Sequence, residues 1–436
     1  MSTSDPTGWH LAHLHRRLGF GATPSQLASS GSDYNTTLDQ LLSPAGPDGA
    51  DGLPIPDLTP AYFGPTPTAE QRTKIQQQTA LQGRQLTLWW LDRMVATSQP
   101  AVEKLTWLWH GLFATSNEKV GSPQLMMQQN RRLRQGALGN FETLVQGMFK
   151  DPAMMVWLDS NTNRMGKPNE NFSRELMELF TLGIGNYTDL DVREGARAFT
   201  GWVVDSASVT TQLVRAQADY DTKTFLGRTG KFRGEDVVAL LTHEPSSAVH
   251  ITNRLWSRLA WPVDRDHPVI AELAPRYAAD LDLGRLVRSI VSHPQFVSAE
   301  ARTGLVKEPV EWVVGILRAL GLSATKMQSG PAPVLTTLGL LGQTPFYPPS
   351  VGGWPQNTYW LSTQTSLARQ RFAQSVAAEA DLSWIDAVPG PQRADALALR
   401  LGIERWSPTT AGALAVVRSS ASMVTVALTS PEFVLN

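Results

Sequence analysis

Two glutamates three positions apart carry the clearest chemistry in this chain. They lie in the run Pro168-Asn169-Glu170-Asn171-Phe172-Ser173-Arg174-Glu175-Leu176-Met177-Glu178-Leu179-Phe180-Thr181-Leu182-Gly183. A helical period places Phe172, Leu176, Leu179 and Leu182 on one apolar stripe, and Glu175 falls inside it. A carboxylate at a core-facing position must be paired, hydrogen-bonded or protonated. Asn171 comes four residues before it and Glu178 three after, so the three side chains share a patch bordered by Arg174. Two carboxyl groups about 5 to 6 Å apart at Cβ, beside an amide and a guanidinium, can push one pKa up and leave the other ionised, as acid–base chemistry requires. The same residues also fit a structural knot, with Glu170, Arg174 and Glu178 paired along the surface and Glu175 satisfied by an arginine from another helix. Asp159 is the reserve carboxylate if the working pair is split between helices.

Histidines and indoles supply the surroundings. His15 lies on an N-terminal apolar stripe with Leu11, Leu14 and Leu18, where it is either a buried histidine bonded to a carbonyl or a general base or metal ligand. Trp107-Leu108-Trp109-His110-Gly111 frames an imidazole with two indoles. The segment Pro348-Pro349-Ser350-Val351-Gly352-Gly353-Trp354-Pro355 excludes regular structure, and its indole either stacks on a flat ligand such as a sugar or plugs the end of a bundle. With Trp202, these indoles outline a Trp-lined cavity. The expected site thus has Glu175, Glu178 and Asp159 as catalytic carboxylates, with Asn169, Asn171, Arg174, His15, Trp109, His110, Trp202 and Trp354 contacting substrate. It calls for no cofactor and no resident metal. An alternative constellation of His15, His110, Glu175 and Glu178 suits a divalent metal.

Composition removes other chemistries. The chain has no cysteine, which excludes disulfides, thiolate metal sites and thiol nucleophiles. No His-Glu-x-x-His helix, Walker loop, Rossmann glycine fingerprint or nucleophile elbow occurs in it. With 38 Lys+Arg against 39 Asp+Glu, it lacks the basic footprint of a nucleic-acid binder. A mean hydropathy of -0.18, with no apolar run long enough to span a bilayer, predicts no membrane insertion. The 14 Trp double the 7 Tyr, although a buried indole N–H needs a partner.

The elements that must position these groups read as helices. The length of 436 residues fits one large domain, with possible sub-lobes 9–202 and 235–436 joined by an irregular 203–234 segment. The predicted fold class is all-α: a compact multi-helix bundle with long Pro/Gly-rich loops and at most a small β-hairpin, placed in 203–232. A helix from Trp9 stops at Gly19, and Thr23-Pro24 restarts one. Seven prolines between Pro44 and Pro67 mark a surface loop or lid. Helical stretches come next at 71–97, 101–114, 123–137, 140–150 and 151–158, and Thr188 with Asp191 forms an acidic capping box. Others are expected at 234–241, 245–260, in the 280s, and at 309–320, 365–380 and 411–428.

The phrases His13-Leu14-His15-Arg16-Arg17-Leu18-Gly19-Phe20-Gly21, Trp109-His110-Gly111, Asn169-Glu170-Asn171 with Arg174-Glu175-Leu176-Met177-Glu178-Leu179, Thr200-Gly201-Trp202 and Gly352-Gly353-Trp354-Pro355 together resemble the bacterial domain of unknown function 1800 family. The resemblance implies no particular activity. It implies relatives that are often exported and often encoded beside an alkaline-phosphatase-like family, hence a protein partner encoded nearby. Many relatives carry a His-Asp-Asp-Gly pattern where this chain has Asp219-Tyr220-Asp221-Thr222, with Ala218 in place of the histidine. That departure weakens a metal site in the loop. The short polar N-terminus shows no export segment, so the expected location is cytoplasmic.

Three functional readings fit these residues. The first is a carbohydrate-active enzyme, a glycoside hydrolase or related, acting on a glycan or small-molecule ligand through the carboxylate pair. The second is a non-catalytic binding or assembly protein, in which the Asn-Glu-Asn and Arg-Glu residues form a structural knot. The third is a metal-dependent hydrolase using histidine and glutamate.

Overall fold

The structure is a computed structural model that describes residues 6–23, 26, 33–205 and 208–435. Most helices start where the sequence supplies a cap or a first-turn proline. Besides single helical turns, the first half contains α1 (Pro6–Arg17), α2 (Tyr34–Leu42), α3 (Ala69–Ala96), α4 (Pro100–Leu112), α5 (Pro123–Gln135), α6 (Phe141–Phe149), α7 (Pro152–Trp157), α8 (Asn171–Glu175) and α9 (Asp189–Ala198). Thr68 and Gln71 box the start of α3, and Thr188 and Asp191 box α9 as the spacing predicts. The helix expected to restart at Thr23-Pro24 falls on Pro24, Ser25 and 27–32, which lie outside the described residues.

The segment after α9 holds two antiparallel hairpins where at most one was expected. β1 (Trp202–Asp205) pairs with β2 (Thr210–Leu213), Trp202 opposite Leu213. β3 (Lys223–Phe225) pairs with β4 (Arg228–Gly230) across a tight turn at Leu226-Gly227, both with positive φ. Helices resume with α10 (Gly234–Thr242), α11 (Pro245–Leu259), α12 (Pro268–Ala278), α13 (Leu283–Val291), α14 (Pro309–Leu320), α15 (Ala332–Leu341), α16 (Thr363–Glu379), α17 (Arg393–Leu401), α18 (Pro408–Val416) and α19 (Ser420–Thr429). α12 carries Pro275 inside it, which hides it from a periodicity reading. The single helix expected at 411–428 is two, because Ser419 bonds the N–H of Ser422 and starts α19 afresh.

α4 and α14 are buried around almost their whole circumference, the mark of central helices. Their charged side chains therefore have to find partners inside. Lys104 of α4 pairs with Glu311 of α14. Glu103, fully buried, accepts from Trp90 Nε1 at 3.0 Å, from Arg93 Nε at 2.7 Å and from Nε and Nη2 along one edge of the Arg134 guanidinium. Arg93 also reaches Asp48 at 2.8 Å and Asp51 at 3.0 Å, so the same cluster pins the proline-rich loop between α2 and α3. That loop lies flat on α3, where Gln82 donates to the carbonyls of Asp57 and Thr59.

Removing one partner of such a cluster leaves its cations buried without compensation. Glu103→Ala should therefore cost about 3 to 5 kcal/mol in urea-unfolding stability, and the loop should become sensitive to proteolysis.

Candidate functional site

Asn171 does not start a plain helix through to Gly183. After Glu175 the chain passes into a π-helical turn, Leu176–Thr181, in which Leu182 N–H reaches back to the carbonyl of Met177. With the extra residue per turn, Met177 and Phe180 are buried beside Leu176 and Leu182 of the expected stripe, whereas Leu179 is only half-buried. Such π turns are rare and occur often at functional sites. Here the turn starts directly after Glu175 and contains Glu178.

The Glu175 side chain is half-buried and has neither a hydrogen bond nor an ion pair among the described residues. Burial pushes its pKa above the ordinary 4.5, the charge of Glu178 adds to the rise, and Arg174 opposes it. Glu178 accepts from the Tyr187 hydroxyl, whose own pKa is pushed up to about 12 by burial and by that bond. Arg174 turns away from Glu175, to Asp189 at 3.4 Å and Glu170 at 3.6 Å. The arginine that a structural knot needs on Glu175 is therefore absent among the described residues.

Both asparagines have structural employment. Asn171 donates to the Leu158 carbonyl and Asn169 to that of Asp159, while Asn169 Oδ1 caps the N–H of Asn171. Asn163 closes the clasp, accepting from Asn169 N–H and donating to Ala196 O. Asp159, in a left-handed conformation with φ 59°, is exposed and paired with Lys119 at 2.7 Å. None of these contacts involves the Glu175 carboxyl group.

Trp109 and Trp354 meet in a second neighbourhood. Gly353, with φ +80°, lets the Pro-Gly loop come so near α4 that a Cβ there would lie 2.4 Å from the Gly111 carbonyl oxygen. Trp354 consequently stacks on Trp107, with ring centroids 5.1 Å apart, and packs against His110 at 5.5 Å. Trp107 Nε1 donates to Glu308, which also takes Gln343 Nε2 at 2.9 Å and Arg258 at 2.7 Å. Beside this network lies a narrow crevice lined by Trp109, Gly111, Trp354, Gln356, Arg254 and Arg258, among others. Glu175 is not part of its lining.

The remaining expected residues lie elsewhere. His15 is buried on α1 with its pKa pushed down to about 4 by burial and by Arg318. His110 accepts from Phe346 N–H through Nε2 and is held by burial at a pKa of about 3, so it is a neutral packing group. Trp202 packs edge-on to Phe149, with Lys150 over its ring. Among the described residues no three His, Asp or Glu side chains gather closely enough to hold a metal ion, so the His15, His110, Glu175 and Glu178 set is not assembled. Asp219 is bound to Arg197 and Lys223.

Tyr187, Arg254, Arg258, Glu308 and Gln356 are the residues that the sequence pattern did not single out. His250, Arg254 and Arg258 recur every four positions along α11, a basic column that the helical period makes readable.

The family described as Protein of unknown function (DUF1800) matches residues 13–435, and the chain belongs to that family. No curated protein and no solved structure matches it.

A carboxyl group whose folded pKa is raised costs no stability below its unfolded value and the full cost above its folded value. Glu175→Gln should therefore be at least as stable as the wild type at pH 7. The difference should vanish as pH falls below the ordinary 4.5, as followed by urea unfolding across pH.

Proposed function

We propose that this chain is an acid–base enzyme that hydrolyses a glycosidic bond in a carbohydrate or glycoconjugate. Glu175 is its proton-transferring group and Glu178 the companion carboxylate. The observation that carries this reading is the half-buried carboxyl group of Glu175, which has no hydrogen-bond or ion-pair partner among the described residues and a raised pKa, one turn from a carboxylate held by Tyr187. A group with that affinity holds a proton closer to neutral pH than an exposed glutamate and can deliver it to a leaving oxygen. Glu178, bonded to a phenol that stays protonated, is suited to take the proton of an attacking water. The carbohydrate assignment draws on the indoles that are only half-buried, Trp157 and Trp202 among them, since sugar rings stack on an aromatic face; nine of the 14 are buried in the core.

A second reading, a non-catalytic binding protein, is favoured by one observation: the indole-lined crevice contains no carboxylate among its lining residues.

The two separate on a panel of aryl glycosides and polysaccharides assayed for reducing-end release. Catalysis predicts that Glu175→Gln lowers kcat by about 10²- to 10⁴-fold while the protein stays folded. It also predicts that Glu178→Gln moves the pH profile. Equal rates for wild type and Glu175→Gln on every substrate would reject the enzyme.

A further inference from the structure

Three bases stand in a column on α11, and two of them are accounted for. His250 donates through Nε2 to the Leu179 carbonyl at 3.0 Å. Arg258 is paired with Glu308 at 2.7 Å. Arg254, one turn from each, has no hydrogen bond and no ion pair among the described residues. Its charged neighbours are Arg258 and Arg265, both cations, and burial with these two charges pushes its pKa down to about 10. It nevertheless stays charged at neutral pH. A partly buried cation facing other cations is an arrangement that folding alone does not favour.

The space in front of it is suited to the missing partner. Arg254 and Arg258 line the crevice together with Trp354, which is 6% exposed and whose Nε1–H is buried with no acceptor. Gln356 stands exposed at the same crevice. The free space is about 20 Å³, enough for one small group and too little for a whole sugar ring. A guanidinium fork matches a carboxylate or phosphate bidentately, and the Gln356 amide adds a donor in a wall otherwise made of leucines, Gly111, Trp109 and Trp354.

We propose that this crevice is an oxyanion subsite that takes the carboxylate or phosphate group of a ligand, with Arg254 as the pairing cation and Gln356 as a further donor. The subsite stands apart from Glu175 and does not depend on the carboxylate chemistry above. It gives the charge of Arg254, unpaired among the described residues, a partner in one bound group.

The full chain is titrated with inorganic phosphate and, separately, with acetate, at an ionic strength held constant with sodium chloride. Thermal unfolding and calorimetry are the readouts. Saturable binding of one anion or both is expected, with an affinity roughly tenfold or more weaker in Arg254→Gln. Binding of phosphate alone assigns a phosphorylated ligand and binding of acetate alone a carboxylate. Without anion, Arg254→Gln should unfold at the same or a higher temperature than wild type, because it relieves the repulsion with Arg258 and Arg265. A purely structural arginine would give the opposite shift. Gln356→Ala, on the exposed mouth, provides a folded variant in any event and should also bind more weakly. Failure of wild type to bind either anion overturns the proposal, as does unchanged affinity in Arg254→Gln. So does unchanged affinity in Gln356→Ala, should Arg254→Gln not fold.

Discussion

The carboxylate of Glu308 receives an indole from α4, a guanidinium from α11 and an amide from the turn after α15. A buried anion of this kind is tolerated only when its lone pairs are filled, and here three separate segments must converge to fill them. That convergence fixes Trp107, on which Trp354 stacks, and orients Arg258 toward the crevice. Glu103 does the same work on the other side of α4, drawing α3, α5 and the proline-rich loop together. Both carboxylates exist because the central helices are buried on all sides, so any charge they carry or touch becomes an organising centre.

Against this pattern of filled carboxylates, Glu175 stands out. Its neighbours are engaged elsewhere: Asn171 with Leu158, Arg174 with Asp189 and Glu170, Glu178 with Tyr187. The π turn that begins after it leaves Leu176 and Leu182 buried but Leu179 only half-buried. A local departure from regular helix, next to an acid that the fold leaves unsatisfied, is expected where function and packing compete. The basic column of α11 repeats the logic with the opposite sign at Arg254.

Much of the fold was legible because caps and prolines are local signals. Asn140, Asp151, Ser122 and the Thr188–Asp191 box each start a helix where the chain predicts one. The elements that escaped depend on context. Pro275 inside α12 and the break at Ser419 run against periodicity, and the second hairpin rests on only three residues per strand. For the site, the sequence singled out Glu175, Trp109 and Trp354. It did not place the indoles and the carboxylates in separate neighbourhoods, because which helices adjoin is set by pairings such as Glu308 with Arg258, far apart along the chain. Nor did it show the clasp that Asn169 and Asn171 make on the preceding loop, since an amide four residues away can equally well turn backward to a carbonyl.

Among the described residues Glu175 is a half-buried carboxyl group with no hydrogen-bond or ion-pair partner. Carbon-13 NMR of glutamate-labelled protein, titrated through the acid range and assigned by comparison with Glu175→Gln, reads that property directly. One side-chain carboxyl resonance should titrate above the ordinary glutamate value of 4.5 and disappear in the variant. A Glu175 resonance titrating at or below that value would contradict the claim.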